Sequence, residues 1–331
     1  MKRLLKRLGS YVLICVMMVV VLASFTGCSG SKGGGAASGV KIMYSLNTLD
    51  DFRQLLLDGI VDAAAAEGVT LDVMDECHTV DEQLGQIQKA AAEGYDAIIC
   101  LPVDLNTALQ LEVAAGDIPI IFVNSSPASD YLKADKYMFV GSYERDAGTY
   151  QAEYVWDKLG KPKSLNAIIF EGEQGHSATI GRTASVKEFF RDNGVDANFV
   201  FCDYATWSDT IAEEKFDVFM KTGQSFDAVF CNNDTMAVGV VRAMQKYGFS
   251  TADIPVCGVD ATEAGCQSIL DGGMQFTVYQ SAAGQGEMAV KTAKAIANSG
   301  SAKGLEGLSD DGTIVWVPFE KVDINNVKDY Q

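Results

Sequence analysis

From Val40 to Gln280 the chain repeats one pattern: a short apolar run rich in Val, Ile and Phe, and then, in most cases, a longer stretch with helical periodicity. The runs are VKIMYS (40–45), VTLDVM (69–74), AIICLP (97–102), PIIFVN (119–124), YMFVGS (137–142), NAIIFEG (166–172), NFVFCDY (198–204), DAVFCNN (227–233), IPVCGVD (254–260) and MQFTVYQ (274–280). Helical periodicity falls on 52–67, 81–92, 144–159, 208–221, 235–247 and 282–297. Strands that are apolar along their whole length, with amphipathic helices between them, predict parallel sheets covered on both faces. Ten strands are too many for one small sheet, so the fold class is α/β with two doubly wound lobes. A polar connection at 141–145 marks the break between them. A last run, TIVWVPFEKVD (313–323), reads as one strand. Pro119 and Pro255 begin strands, where a missing N–H costs least.

The amino terminus follows a different rule. Lys2, Arg3, Lys6 and Arg7 form a basic segment, and 8–27 carries no charge and is strongly apolar between Tyr11 and Ala23. About 20 such residues match a bilayer span. The basic segment, apolar core and small residues before Cys28 instead follow the layout of an export signal. Phe25-Thr26-Gly27-Cys28 resembles the lipobox of bacterial lipoproteins, with Phe25 where Leu is usual. The resemblance implies a signal peptide over 1–27, lipidation of Cys28 and a body held on the outer face of the cell membrane. Residues 28–39 read as a flexible Gly/Ser/Ala tether.

The body is acidic. The chain has 26 Lys and Arg against 44 Asp and Glu, and four of those bases precede Cys28. Such a surface repels phosphate backbones and anionic lipid, which excludes nucleic-acid binding and polybasic membrane docking. Of eight cysteines, Cys15 leaves with the signal and Cys28 takes lipid; the other six are Cys77, Cys100, Cys202, Cys231, Cys257 and Cys266. Cys100, Cys202, Cys231 and Cys257 sit in apolar runs, which favours free thiols behaving as small hydrophobes.

Open parallel sheets bind ligands beyond the carboxyl ends of their strands. Here those ends carry Asn124, Asn233-Asp234, Asp260 and Gln280, whose amides and acids suit adjacent hydroxyls. Each alone is also an ordinary turn or cap residue. Phe52 and Trp207, just past two strands, offer flat faces for the C–H side of a sugar ring or for packing; Trp156 and Trp316 read as core. Enzyme signatures are mostly missing: no G-x-S-x-G, Walker sequence, strand-linked G-x-G-x-x-G or C-x-x-C occurs. Asp75-Glu76-Cys77-His78 reads as a solvated loop, because adjacent residues do not easily converge on one ion.

Taken together, several stretches resemble the periplasmic sugar-binding proteins of type I fold that serve ABC transporters, nearest to the galactose/glucose-binding branch. They are Asp50-Asp51-Phe52, 118–127, 137–142, Gly172-Glu173-Gln174-Gly175-His176 through Arg182, 232–237 and Gly258-Val259-Asp260-Ala261. The resemblance implies a sugar between two lobes, stacked by Phe52 and Trp207. It places Asp50, Asn124, His176, Arg182, Asn233, Asp260 and Gln280 on its hydroxyls, with Arg182 and His176 donating. It also implies three hinge crossings near 142–145, 280–283 and 302–312. The lobes are then 40–142 with 283–302, and 143–282 with 303–331.

Two departures matter. Ala178 stands where that branch has aspartate, which opens the choice of sugar to pentoses, inositol and other small polyols. After the helix ending near Leu159, Gly160-Lys161-Pro162-Lys163-Ser164 lacks the oxygen ligands of the branch's calcium loop, so no metal and no cofactor is expected. The implied role is a lipid-anchored substrate-binding component of an ABC importer, with a neutral monosaccharide and the permease as partners. A sensor lobe for a membrane kinase or chemoreceptor has the same pattern. A hydrolase using Asp50 and Asp260 as paired carboxylates has no nucleophile motif beside it.

Overall fold

A computed structural model describes residues 39–331, which form one compact unit. The signal, Cys28 and nearly all of the tether lie outside the described residues. Among the described residues no helix is long and apolar enough to cross a membrane.

The first sheet contains β1 (Lys41–Ser45), β2 (Thr70–Val73), β3 (Ala97–Cys100), β4 (Ile120–Val123), β5 (Tyr137–Gly141) and β11 (Ile314–Trp316), in the order β11-β5-β4-β3-β1-β2. The second contains β6 (Ser164–Glu171), β7 (Asp196–Tyr204), β8 (Ala228–Cys231), β9 (Val256–Cys257), β10 (Phe276–Tyr279) and β12 (Glu320–Asp323), in the order β12-β10-β9-β8-β6-β7. Position for position the two orders are the same, so each lobe is one doubly wound unit. All pairings are parallel except β12 with β10.

Helices cover both faces of each sheet, as strands buried along their whole length require. In the first lobe α1 (Asp51–Glu67) and α9 (Ala282–Ser299) share an aliphatic layer of Leu56, Ile60, Val290 and Ala293 over Ile42, Ile99 and Ile121. The opposite face takes α2 (Val80–Glu93) and α3 (Ala108–Ala115), through Ile87 and Leu111 over Ile98 and Phe122. In the second lobe α6 (Asp209–Met220), α7 (Asp234–Lys246) and α8 (Glu263–Leu270) bury Phe216, Phe219, Val240 and Ile269. Across that sheet α4 (Glu144–Lys158) and α5 (Ser177–Asp192) bury Val155, Val186 and Phe190.

The carboxyl-terminal segment departs from expectation. TIVWVPFEKVD is not one strand but two: β11 pairs with β5 in the first sheet, and β12 runs antiparallel to β10 in the second. Pro318 lies between them, and a residue without an N–H cannot continue a ladder. The chain therefore changes sheets at 317–319, not at 302–312. Residues 303–316 go with the first lobe rather than the second, where Leu305 and Leu308 pack on its aliphatic layer. The other two changes of sheet lie between β5 and α4 and between β10 and α9.

Trp156 and Trp316, expected in the core, are half-buried at its margins. The Trp156 indole donates to the Pro162 carbonyl, and Trp316 meets Phe139 and Tyr143 edge-on. All six cysteines of the body are free. Cys202 alone is exposed, because β7 is the edge strand of its sheet. In the 75–78 loop His78 meets the Thr48 hydroxyl at the surface. Among the described residues no group of His, Cys, Asp or Glu is placed to hold a metal ion.

Candidate functional site

The nine residues singled out in the sequence line one cavity between the lobes, together with Arg53 and Ala178. The first lobe supplies Asp50, Phe52, Arg53 and Asn124. The second supplies His176, Ala178, Arg182, Trp207, Asn233, Asp260 and Gln280.

Local rules put these side chains where they are. Asp50 and Asn233 are the N-caps of α1 and α7, and accept from the amides of Arg53 (2.8 Å) and Met236 (3.0 Å). His176 caps α5. Three helix N-termini, with their partial positive charge, thus converge on the cavity. Backbone strain is concentrated here as well. Among the described residues, seven that are not glycine have positive φ, and Asn124, Thr206, Trp207, Asp260 and Ala261 all lie at the cleft. A Trp at φ 64° is unusual enough to need support from its surroundings. Gly172 gives it: a Cβ there would come within 2.0 Å of the indole, so the ring lies against bare backbone. The Asn232 side chain in turn accepts from the Gly172 amide at 3.1 Å.

Arg182 organises the polar wall. Only 3% exposed, it donates from Nε to Glu144 (2.7 Å), from Nη1 to the Asn232 carbonyl (2.6 Å) and from Nη2 to the Gln280 side chain (2.9 Å). The Asp260 carboxylate is 3.7 Å from Nη1. Burial pushes the carboxyls of Glu144 and Asp260 up, and the Arg182 charge opposes that shift in both. Burial also raises Asp50, against the pull of Arg53. Two donors among the lining residues, Trp207 Nε1 and Gln280 Nε2, are buried and have no partner in the protein. A buried donor left unpaired costs about 1–3 kcal/mol, so a hydroxyl-bearing guest in the cavity would be favoured by pairing with them.

His176 differs from expectation. Its Nδ1 accepts from the Ala178 amide (3.1 Å), which leaves the proton on Nε2, donated to the Ser125 hydroxyl at 2.6 Å. Both ring nitrogens are therefore occupied by protein, and the ring presents a face rather than a donor. It meets Trp207 edge-on at 5.3 Å between centroids. Burial, then the charges of Arg53 and Arg182, depress its pKa to about 3, so it is neutral.

Sequence reasoning missed Arg53, whose role depends on the other lobe. Its guanidinium reaches the Thr48 carbonyl (3.1 Å) and crosses the cleft to Glu173 (3.0 Å). Three more contacts cross beside it: Thr235 to Asp51 (3.3 Å), His176 to Ser125, and the Ser126 amide to the Ser177 hydroxyl (3.2 Å). The lobes are thus closed on one another. One local signal for Arg53 existed: it sits three residues after the capping Asp50, within reach of the same carboxylate (3.4 Å).

Comparison with known proteins agrees in extent. A family model described as a periplasmic binding protein domain matches residues 42–302. A provisionally named rhizopine-binding protein of Rhizobium meliloti is 31% identical over 302 residues, covering 89% of this chain and 94% of its own length. The D-galactose/methyl-galactoside-binding periplasmic protein of Haemophilus influenzae is 24% identical over 327 residues, covering 94% of this chain and 98% of its own. Among solved structures, an ABC transporter solute-binding protein of Bacillus halodurans with bound myo-inositol has a TM-score of 0.78 and 30% identity. That match covers 89% of this chain and 99% of the other.

Proposed function

The chain belongs to the periplasmic binding protein domain family, and on that premise we propose that it is the extracytoplasmic substrate-binding component of an ABC importer for a neutral cyclic polyol of monosaccharide size. One observation carries the reading: a cavity shared by both lobes holds two aromatic rings and a continuous set of hydroxyl-pairing groups. Asp50 and Asp260 accept from hydroxyls, the remaining Arg182 hydrogens donate, and Asn124, Asn233 and Gln280 do both. The charges argue for a neutral guest. Arg182 already serves Glu144 and Asp260, and Arg53 serves Asp50 and Glu173, so an anion finds no unengaged cation. A guest touching both lobes adds to the four contacts across the cleft and so favours the closed form, whose joint surface a permease can recognise. The tether and a lipid on Cys28 would keep the receptor at the membrane; Cys28→Ala should release it from the membrane fraction.

Within this class, a cyclitol such as myo-inositol is better supported than galactose or glucose. Ala178 lines the cavity where the galactose/glucose branch places an aspartate. The solved structure at 30% identity holds myo-inositol, whereas the galactose-binding relative is 24% identical. The test is thermal unfolding against myo-inositol, D-galactose, D-glucose and D-ribose. At equal ligand concentrations myo-inositol is expected to give the largest shift, about 2.7 kcal/mol when it stands at 100-fold its Kd. No shift with any of the four would contradict the reading; a larger shift with galactose would overturn the choice of cyclitol.

A further inference from the structure

Behind the cavity wall lies a carboxylate that does not line the cavity. Asp234 opens α7 immediately after the capping Asn233 and has no exposed surface. Its Oδ1 accepts from the Thr277 hydroxyl at 2.6 Å, and its Oδ2 accepts from the Thr262 amide at 2.8 Å and the Thr262 hydroxyl at 3.4 Å. Bare backbone closes over it on two sides: a Cβ on Gly258 or on Gly265 would come within 2.2 Å of one of its oxygens. A fully buried acid is expensive to keep unless its bonds do something an apolar side chain cannot.

What those bonds hold is the turn that presents Asp260. Asp260 and Ala261 have φ values of 115° and 52°, a conformation that side-chain-bearing residues rarely adopt without outside support. Thr262, bonded to Asp234, fixes the far end of the turn. Thr277, bonded to the other oxygen, accepts from the Ala261 amide at 3.3 Å and fixes its middle. The Asp234 amide itself donates to the Val259 carbonyl at 2.8 Å, tying the near end. From the start of α7, Asp234 therefore grips the strained turn directly before and after its bend, at Val259 and Thr262, and within it through Thr277 of β10.

We infer that Asp234 is a positioning residue for ligand binding: its buried carboxylate, acting through Thr277 and Thr262, holds the Asp260–Ala261 turn in the conformation that aims the Asp260 carboxylate into the cavity. The inference rests on the reading of that cavity as a polyol site. The relay makes a sharp distinction between two substitutions at one position. Thr277→Ser keeps the hydroxyl that both donates to Asp234 and accepts from Ala261, whereas Thr277→Val keeps the shape and loses both bonds.

The experiment uses wild type, Asp234→Asn, Thr277→Val and Thr277→Ser, with two readouts. Calorimetric titration with myo-inositol and with D-galactose should show affinity at least tenfold weaker in Asp234→Asn and Thr277→Val, and within threefold of wild type in Thr277→Ser. Amide exchange without ligand should speed up at Asp260 and Ala261 in the two weakened variants while the rest of the lobe stays protected. Affinity within twofold of wild type in both Asp234→Asn and Thr277→Val, or exchange that is unchanged at the turn or faster throughout the lobe, overturns the inference. If wild type binds neither probe, the assignment of these two polyols fails, glucose and ribose remain to test the functional reading, and the exchange result still decides whether Asp234 holds the turn. If Asp234→Asn does not fold, the two Thr277 variants decide both readouts.

Discussion

The two lobes share one strand order and differ in how they are built around the cleft. The first is packed mainly with Ile, Val, Leu and Ala, with Phe122 and Phe139 on one face, and offers the cavity Asp50, Phe52, Arg53 and Asn124. The second is packed with phenylalanine (Phe170, Phe216 and Phe219 on one face, Phe190 and Phe230 on the other) and offers seven lining residues. Its polar wall is bonded before any guest arrives, since Arg182 is held by Glu144, Asn232 and Gln280. The first lobe's charged pair is held partly across the cleft, by Glu173. The contrast points to a division of labour on a common fold: the second lobe is a preorganised receptor surface, and the first is a cover that completes it. Groups fixed before binding lose less freedom on binding, so the second lobe should carry most of the affinity.

Five substitutions test this division, starting with the largest effect. Arg182→Met should abolish polyol binding and lower folding stability by about 3–5 kcal/mol, because Glu144 and Asp260 would remain buried without their cation; chemical denaturation reads the second effect. A loss below about 1 kcal/mol would mean that the wall does not depend on Arg182.

Next, Trp207→Ala and Phe52→Ala remove one ring from each lobe. Burying an aromatic side chain is worth roughly 1.5–3 kcal/mol; the Trp207 change should sit at or above the upper end and the Phe52 change at the lower. Calorimetric titration of the two variants gives the order; the reverse order breaks the comparison.

Third, His176→Asn keeps a good N-cap and removes a half-buried ring whose pKa is about 3 against an ordinary 6.5. Between those values the unfolded chain binds a proton there and the folded chain does not, so this histidine's contribution to stability falls as pH drops below 6.5. Wild-type stability measured relative to the variant should therefore decline from pH 7 to pH 4. A constant difference would mean that the ring is not held neutral.

The smallest change is Glu173→Gln. It weakens the ion pair with Arg53, whose glutamate is 43% exposed, and such pairs are worth about 0.2–1 kcal/mol. Ligand affinity should fall less than fivefold, chiefly through faster release. A large loss would place the first lobe's charges on a par with the second's.

Most of this organisation is legible in the sequence because its causes are local. Strand runs and helical periodicity give the elements. Asn124, Asn233, Asp260 and Gln280 can be found at strand ends, where a doubly wound sheet exposes its ligands. Phe52 and Trp207 can be found just past two strands, and the resemblance adds Asp50, His176 and Arg182 to the same cavity. What escapes are roles created by long-range contact. Arg53 matters through Glu173, 120 residues away, and Glu144 through Arg182. His176 reads as a donor until the structure shows Ser125 and Ala178 taking both its nitrogens. The final run reads as one strand because its apolar character is continuous; only the open edge of β5 and the missing N–H of Pro318 divide it between two sheets.

The most direct test of the central claim is a crystal structure of the protein with myo-inositol or with the polyol that co-purifies with it. The ring is expected between Phe52 and Trp207, with its hydroxyls paired chiefly to Asp260, Arg182, Asn233 and Gln280 of the second lobe. A polyol bound outside this cavity, or one held mainly by the first lobe, would contradict it.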